Sequence, residues 1–380
     1  GLTIISFWLA HRKFYLSGTV FLCSTTLLVE LIPGIYIWDL FFLYVLVCGV
    51  LLSDFTVKRS YAIFVLVLIC FLTLNAFLAG EYFSLVEIAR LIQFSIFCLF
   101  LYSHYSKNTI EAIFIYALFA SLLINVGVHF FQIFRLDFGF ALKPTGSITI
   151  GGLFNDSSEF GPIALLFAFI FYADSFETKS LKLLGLPVLV ACFAVMVSFN
   201  RTSFMLLPVL AVATFFYSRL GIKVMVLLFI IIALPFSIGY SNKNFDLVYA
   251  LLNDPSSLLG GTVELRLMNW QIIFNYYLNY CNIIFGCPPG FFDVHRYLFS
   301  SEYGVFSVDN AFLRIVVSYG VIGSVFFVLG MSYLFLKTNK YLSFWIIIFG
   351  LGMMIELFKS LPVVLVLICC FAYLLKQENQ

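Results

Sequence analysis

Apolar runs about twenty residues long recur from one end of this chain to the other, and no other feature restricts its possible folds as much. A helix needs about twenty apolar residues to cross the hydrocarbon of a bilayer, since each residue adds only about 1.5 Å. Between polar breaks the runs fall near 15–32, 36–53, 61–79, 83–103, 110–134, 159–174, 182–199, 202–218, 222–240, 310–336, 341–358 and 361–376. The expected fold is therefore all-α: a single polytopic integral membrane domain over 1–380 with about twelve transmembrane helices. Composition agrees, at 63% hydrophobic and 11% charged, where a soluble domain carries about a quarter charged residues. A β-barrel would show alternating segments of about ten residues, and the sequence has none. It also has no visible internal repeat, which argues against a transporter built from duplicated halves.

Net charge is +2, with the basic residues spread through short loops, so no nucleic-acid partner is expected. Lysine and arginine mark the cytoplasmic side of membrane proteins. Here they collect on alternate loops, from Arg12, Lys13, Lys58 and Arg59 through Lys107, Lys179 and Arg219 to Lys337, Lys340 and Lys376. Both termini then fall inside. The long segments 135–158 and 241–309 face outward, the second of them between the ninth and tenth spans. At the N-terminus an apolar stretch, His11-Arg12-Lys13 and a full span follow in an order unlike that of a cleaved signal peptide.

Seven of the nine cysteines lie inside apolar runs, where cysteine acts as a small hydrophobe. No Cys-x-x-Cys or His-x-x-x-His spacing occurs, so no metal site is expected. Cys281 and Cys287 fall in the polar interval; an oxidising surrounding would pair them, and a reducing one would leave two thiols.

The longest polar interval, Gly260 to Gly323, holds most candidate site residues. Arg266 and Trp270, one turn apart, belong to an amphipathic helix expected near 262–279 with apolar positions at Leu267, Ile273, Phe274 and Tyr277. A surface helix with a belt tryptophan explains them; so does a guanidinium placed over a phosphate at headgroup depth, which it grips with two parallel hydrogen bonds. Asp309 precedes the span opening Asn310-Ala311-Phe312-Leu313 and suits either a helix cap or a general base. Arg201 occupies a tiny external turn, where an arginine snorkels or binds an anion. Arg314 also lies near the outer side. Glu159 stands in a Gly- and Ser-rich entry to a helix whose first turn is expected to hold Pro162, and a helix N-terminus attracts anions. Glu87 and Arg90 share one face of the fourth span, as a structural pair or as part of a wet cavity. Glu356 with Lys359 is a second such pair, and His129 and His295 suit either ordinary interfacial or loop positions or alternative bases.

In order along the chain, Gly152-Leu153-Phe154-Asn155-Asp156-Ser157-Ser158-Glu159-Phe160-Gly161 enters a span, and Ser198-Phe199-Asn200-Arg201 forms an external turn. Arg266 with Trp270 then precedes Phe285-Gly286 and Pro289-Gly290, and Asp309-Asn310-Ala311-Phe312-Leu313 precedes Gly320 and Gly323. In that order and topology the region from about 150 to 325 resembles the O-antigen ligase and polysaccharide polymerase superfamily of bacterial envelope proteins. The resemblance implies a GT-C-like membrane glycosyltransferase of the inner membrane, with its site facing the periplasm. Its partners would be undecaprenyl-diphosphate-linked oligosaccharides and membrane lipid, with a chain-length regulator left open. It would use no metal or nucleotide cofactor.

The resemblance assigns diphosphate binding to Arg201 and Arg266, and a role in orienting or deprotonating the acceptor hydroxyl to Asp309. Asn310, Trp270, Arg314, Glu159 and Arg90 complete the expected substrate-binding set. Where the ligases typically carry histidine, this chain has Asp309, which favours a polymerase, with inversion at the anomeric carbon expected from the family. The motif from Phe154 to Gly161 lacks the family's usual Pro-Asn pair. The rival readings are a ligase moving finished polymer onto lipid A core and, in another class, a lipid-linked sugar flippase or secondary transporter.

Overall fold

The computed structural model describes residues 2–23, 30–32, 35–51, 59–79, 82–107, 113–133, 157–178, 181–198, 200, 202–203, 206–210, 255–287, 310–354 and 361–378. Those residues are almost entirely helical. The helices are α1 (Leu2–His11), α2 (Tyr15–Cys23), α3 (Ile37–Leu51), α4 (Arg59–Ala79), α5 (Tyr82–Lys107), α6 (Phe114–Ile133), α7 (Ser157–Thr178) and α8 (Leu181–Val197). After them come α9 (Pro255–Tyr280), α10 (Ala311–Lys337), α11 (Leu342–Met354) and α12 (Leu361–Glu378).

Most of these helices sit where an apolar run predicts one, because an apolar run in a helix satisfies its own backbone hydrogen bonds. The first run differs. It is helical over Tyr15–Cys23, while Glu30–Ile32 is extended and pairs antiparallel with Ile35–Tyr36. The runs near 202–218 and 222–240 lie largely or wholly outside the described residues. Among the described residues one helix, α10, is long and apolar enough by length and composition to cross a membrane, with 27 residues and a mean hydropathy of 2.1 over an 18-residue window, where about twelve spans are expected from the sequence.

One large core is shared by α2, α3, α5, α6, α7, α8, α11 and α12, with Ala10 of α1 and Ala311 of α10. Its centre is aromatic: Trp38, Phe97 and Phe100 are fully buried, as are Phe160, Phe169 and Phe344. Phe169 stacks on Phe344 at 4.8 Å, and Phe114 on Tyr373 at 5.4 Å, so α7 is tied to α11 and α6 to α12. Offset and edge contacts of this kind contribute beyond the area they bury. A second, smaller core joins α9 to α10 through Ile273, Tyr277, Cys287 and Val317.

A continuous helix is the expectation for 310–336, yet α10 is broken. Gly320 has φ 60° and ψ −160°, a conformation that L side chains rarely adopt. At its tenth residue α10 therefore changes direction, and the rest of it forms a separate helical piece.

Candidate functional site

Three close approaches bring the sequence motifs together. The first joins the entry of α7 to the turn after α8. A Cβ on Gly161 would lie 2.5 Å from the Cβ of Asn200, 2.8 Å from Ser198 Oγ and 3.0 Å from Ser203 Oγ. Only glycine allows that contact. The turn holds itself in shape: Ser198 Oγ donates to the Val195 carbonyl at 2.6 Å, and the Asn200 amide donates to Ser198 Oγ at 3.3 Å. The Ser203 amide in turn donates to Asn200 Oδ1 at 2.9 Å. Asn200 thus caps the helical turn that follows, satisfying an amide that has no partner within the helix.

Glu159 stands in the first turn of α7 with one carboxylate oxygen buried, and lies near enough to Cys23 at the end of α2 to act on it electrostatically. A carboxylate there complements the positive end of the helix dipole. Pro162 falls in the second turn of α7, because the helix starts at Ser157, before the apolar run begins.

The second approach runs through α11. A Cβ on Gly350 would press into Leu206, and one on Gly352 would lie 2.9 Å from two ring carbons of Phe312. Two glycines two positions apart therefore receive the segment that follows the Asn200 turn and the start of α10. At that start Asn310 is 5% exposed, and its Oδ1 accepts from the amides of Phe312 and Leu313, each at 3.0 Å. Sequence reasoning offers Asp309 as the cap; the cap is Asn310. The side chain Asn310 Nδ2 points toward Met353 Sδ of α11 at 4.0 Å. The Arg314 amide closes the first turn onto the Asn310 carbonyl at 3.0 Å, which places the half-buried Arg314 one turn from the cap.

The third approach joins α9 to α10. Ile273 and Tyr277 are buried against Leu313, Val316 and Val317. Trp270 and Arg266 lie on that same side of α9, one and two turns earlier, and both are half-buried. The indole N–H of Trp270 is buried and has no hydrogen-bond partner among the described residues. The helix predicted near 262–279 begins earlier, at Pro255, and runs to Tyr280. Leu267 is 52% and Phe274 40% exposed, because α10 covers only the stripe through Ile273 and Tyr277.

Cys281 and Cys287 form a disulfide, so the pairing left open by the sequence is present. Within the ring it closes, Asn282 Oδ1 accepts from the amides of Ile284 and Phe285 at 2.9 and 3.2 Å, and Gly286 N donates to the Asn282 carbonyl at 2.6 Å. The Tyr277 hydroxyl donates to the Ile283 carbonyl at 2.6 Å, and burial raises its phenol above the ordinary value.

Arg201, Asp309 and His295 lie outside the described residues, as do Glu356 and Lys359. Arg90 and Glu87 fall within α5, and His129 within α6, with their side chains outside the described set. An apolar cavity of about 580 Å³ opens between α10 and α11, walled by Phe312, Ile315, Phe327, Met331, Trp345 and Phe349. Sequence reasoning missed Ser198, Asn200 and Ser203 as a clasp; their signal is a run of short polar residues around a helix start. No family model, no curated protein and no solved structure matches the chain.

Proposed function

We propose that this chain polymerises undecaprenyl-diphosphate-linked oligosaccharide repeat units at the periplasmic face of a bacterial inner membrane. In this reading it is an inverting, metal-independent glycosyltransferase with about twelve transmembrane helices. The observation that carries the proposal is the convergence of separate motifs. Gly161 meets Asn200, the residue before Arg201, and α11 receives both the segment after Arg201 and the helix after Asp309. The helix that carries Arg266 packs on α10 through Ile273 and Tyr277. Strongly exposed aliphatic and aromatic side chains, such as Phe77 at 84% and Leu51 at 77%, suit a chain surrounded by lipid.

The reaction transfers the growing chain from one lipid diphosphate to a hydroxyl of a single lipid-linked repeat. The acceptor oxygen forms the new bond to the anomeric carbon as the bond to the diphosphate oxygen breaks. The hydroxyl proton leaves to Asp309 or to water, and the departing diphosphate keeps the electron pair. Arg201 and Arg266 stabilise the negative charge that builds on that leaving group. An aspartate of ordinary pKa, about 4, is a weak base for a sugar hydroxyl, so its main task is to orient the acceptor.

The test replaces Arg201 or Arg266 with alanine and examines surface polysaccharide. Single repeats with normal amounts of membrane protein are the expected result. Retained long polymer rules the reading out, and accumulation of long lipid-linked chains would point to a ligase instead.

A further inference from the structure

We infer that the Cys281–Cys287 disulfide clasps the break in α10, and that the chain is a client of a thiol–disulfide oxidant. This inference stands apart from the glycosyl-transfer reading. At Gly320 the helix gives up its own pairing, and the disulfide ring supplies the replacements. In an unbroken helix the Val317 carbonyl accepts from the Val321 amide; here it accepts from the Cys287 amide at 2.7 Å. The displaced Val321 and Ile322 amides donate to the carbonyls of Ile283 and Ile284 at 3.1 and 3.2 Å. All three replacement groups belong to residues 281–287, the ring that the disulfide closes.

The fit depends on backbone meeting backbone. A Cβ on Gly286 would stand 2.6 Å from the Gly320 nitrogen, and one on Gly320 would stand 2.5 Å from the Gly286 nitrogen. Both glycines have positive φ, 90° and 60°. A helix broken inside an apolar layer is tolerated only where its freed groups find partners. Here those partners sit on a short turn whose two ends are joined covalently. Cys287 serves both bonds at once, the disulfide and the hydrogen bond to Val317.

Formation of the clasp follows ordinary exchange chemistry. One cysteine thiolate attacks the oxidant's disulfide to give a mixed disulfide, and the second thiolate displaces the oxidant. The two thiol protons and two electrons leave with the oxidant as its dithiol. A disulfide persists on the oxidising side of a membrane, so residues 281–287 belong on the outer face.

The experiment uses the full chain, purified in its folded form, with and without reductant. Alkylation followed by mass measurement reports the state of Cys281 and Cys287, and hydrogen exchange reports the amides of Val321 and Ile322. Reduction is expected to speed exchange at those two amides about tenfold or more while leaving α12 unchanged. Unchanged exchange after complete reduction overturns the clasp. Protein from cells lacking their disulfide-donor oxidoreductase should carry both thiols free; a disulfide formed there at the normal level overturns the oxidant. The variant with Cys281→Ser and Cys287→Ser should match the reduced protein. If it does not accumulate, the reductant experiment on the natural chain still decides.

Discussion

Gly161 in α7 and Asn200 after α8 approach so closely that a Cβ on the glycine would stand 2.5 Å from the asparagine Cβ. The obstruction is not the tip of a flexible side chain, so the turn itself must shift to admit a methyl group. Overpacking of this kind costs about 1–3 kcal/mol. Gly161→Ala is therefore expected to lower thermal stability and, under the proposed function, to shorten the polysaccharide. Gly330→Ala is the control, since a Cβ there meets nothing within 4 Å and alanine is the better helix former. Equal melting temperatures for the two variants would contradict the contact.

Asn310 and Asp309 separate capping from chemistry. The Asn310 side chain holds two amides of α10, so Asn310→Ala should cost about 0.5–2 kcal/mol and Asn310→Asp much less. Asp309→Asn should leave the melting temperature unchanged, because the cap belongs to the next residue, while the proposed reaction predicts a lower polymer yield. Full activity in Asp309→Asn would remove Asp309 from the reaction.

Tyr277 gives a pH dependence with a definite sign. Its hydroxyl donates to the Ile283 carbonyl, and burial holds the phenol above its ordinary value of 10.0. The neutral form is the one favoured by folding, so its contribution is complete below pH 10 and is lost as pH rises through the elevated value. A tyrosinate absorbance titration should lose one late-titrating tyrosine when Tyr277 is replaced by phenylalanine. That variant should also lose about 0.5–1.5 kcal/mol from the missing hydrogen bond.

Much of the helical layout is legible in the sequence, because an apolar run has few ways to satisfy its backbone other than as a helix. The motif positions are legible too, through polar residues where the apolar pattern lapses. The break at Gly320 is not. Hydropathy does not register a change of backbone angle, and the partners of the broken turn come from a loop more than thirty residues earlier. The choice between Asp309 and Asn310 as cap was equally hidden, since either residue type serves and only the backbone register decides. The open disulfide question needed the approach of two side chains that spacing alone does not fix.

The two glycines of α11 should respond differently to the same change. At Gly350 an added methyl meets the methyl ends of Leu206, which can rotate away. At Gly352 it meets the ring of Phe312, which Phe349 stacks at 5.5 Å and Phe327 contacts at 6.2 Å. A ring held on two sides yields less than a leucine tip. Alanine also gains about 0.5–1 kcal/mol over glycine inside a helix, which offsets a mild clash but not a firm one. Gly350→Ala is thus expected to be near neutral in thermal unfolding, and Gly352→Ala to be destabilised by about 1–2 kcal/mol. In the proposed reaction Phe312 leads back to Asp309, so Gly352→Ala should also shorten the polymer more than Gly350→Ala does. A reversed order, with Gly350→Ala the more damaging, would mean that Leu206 and not Phe312 is the immobile neighbour.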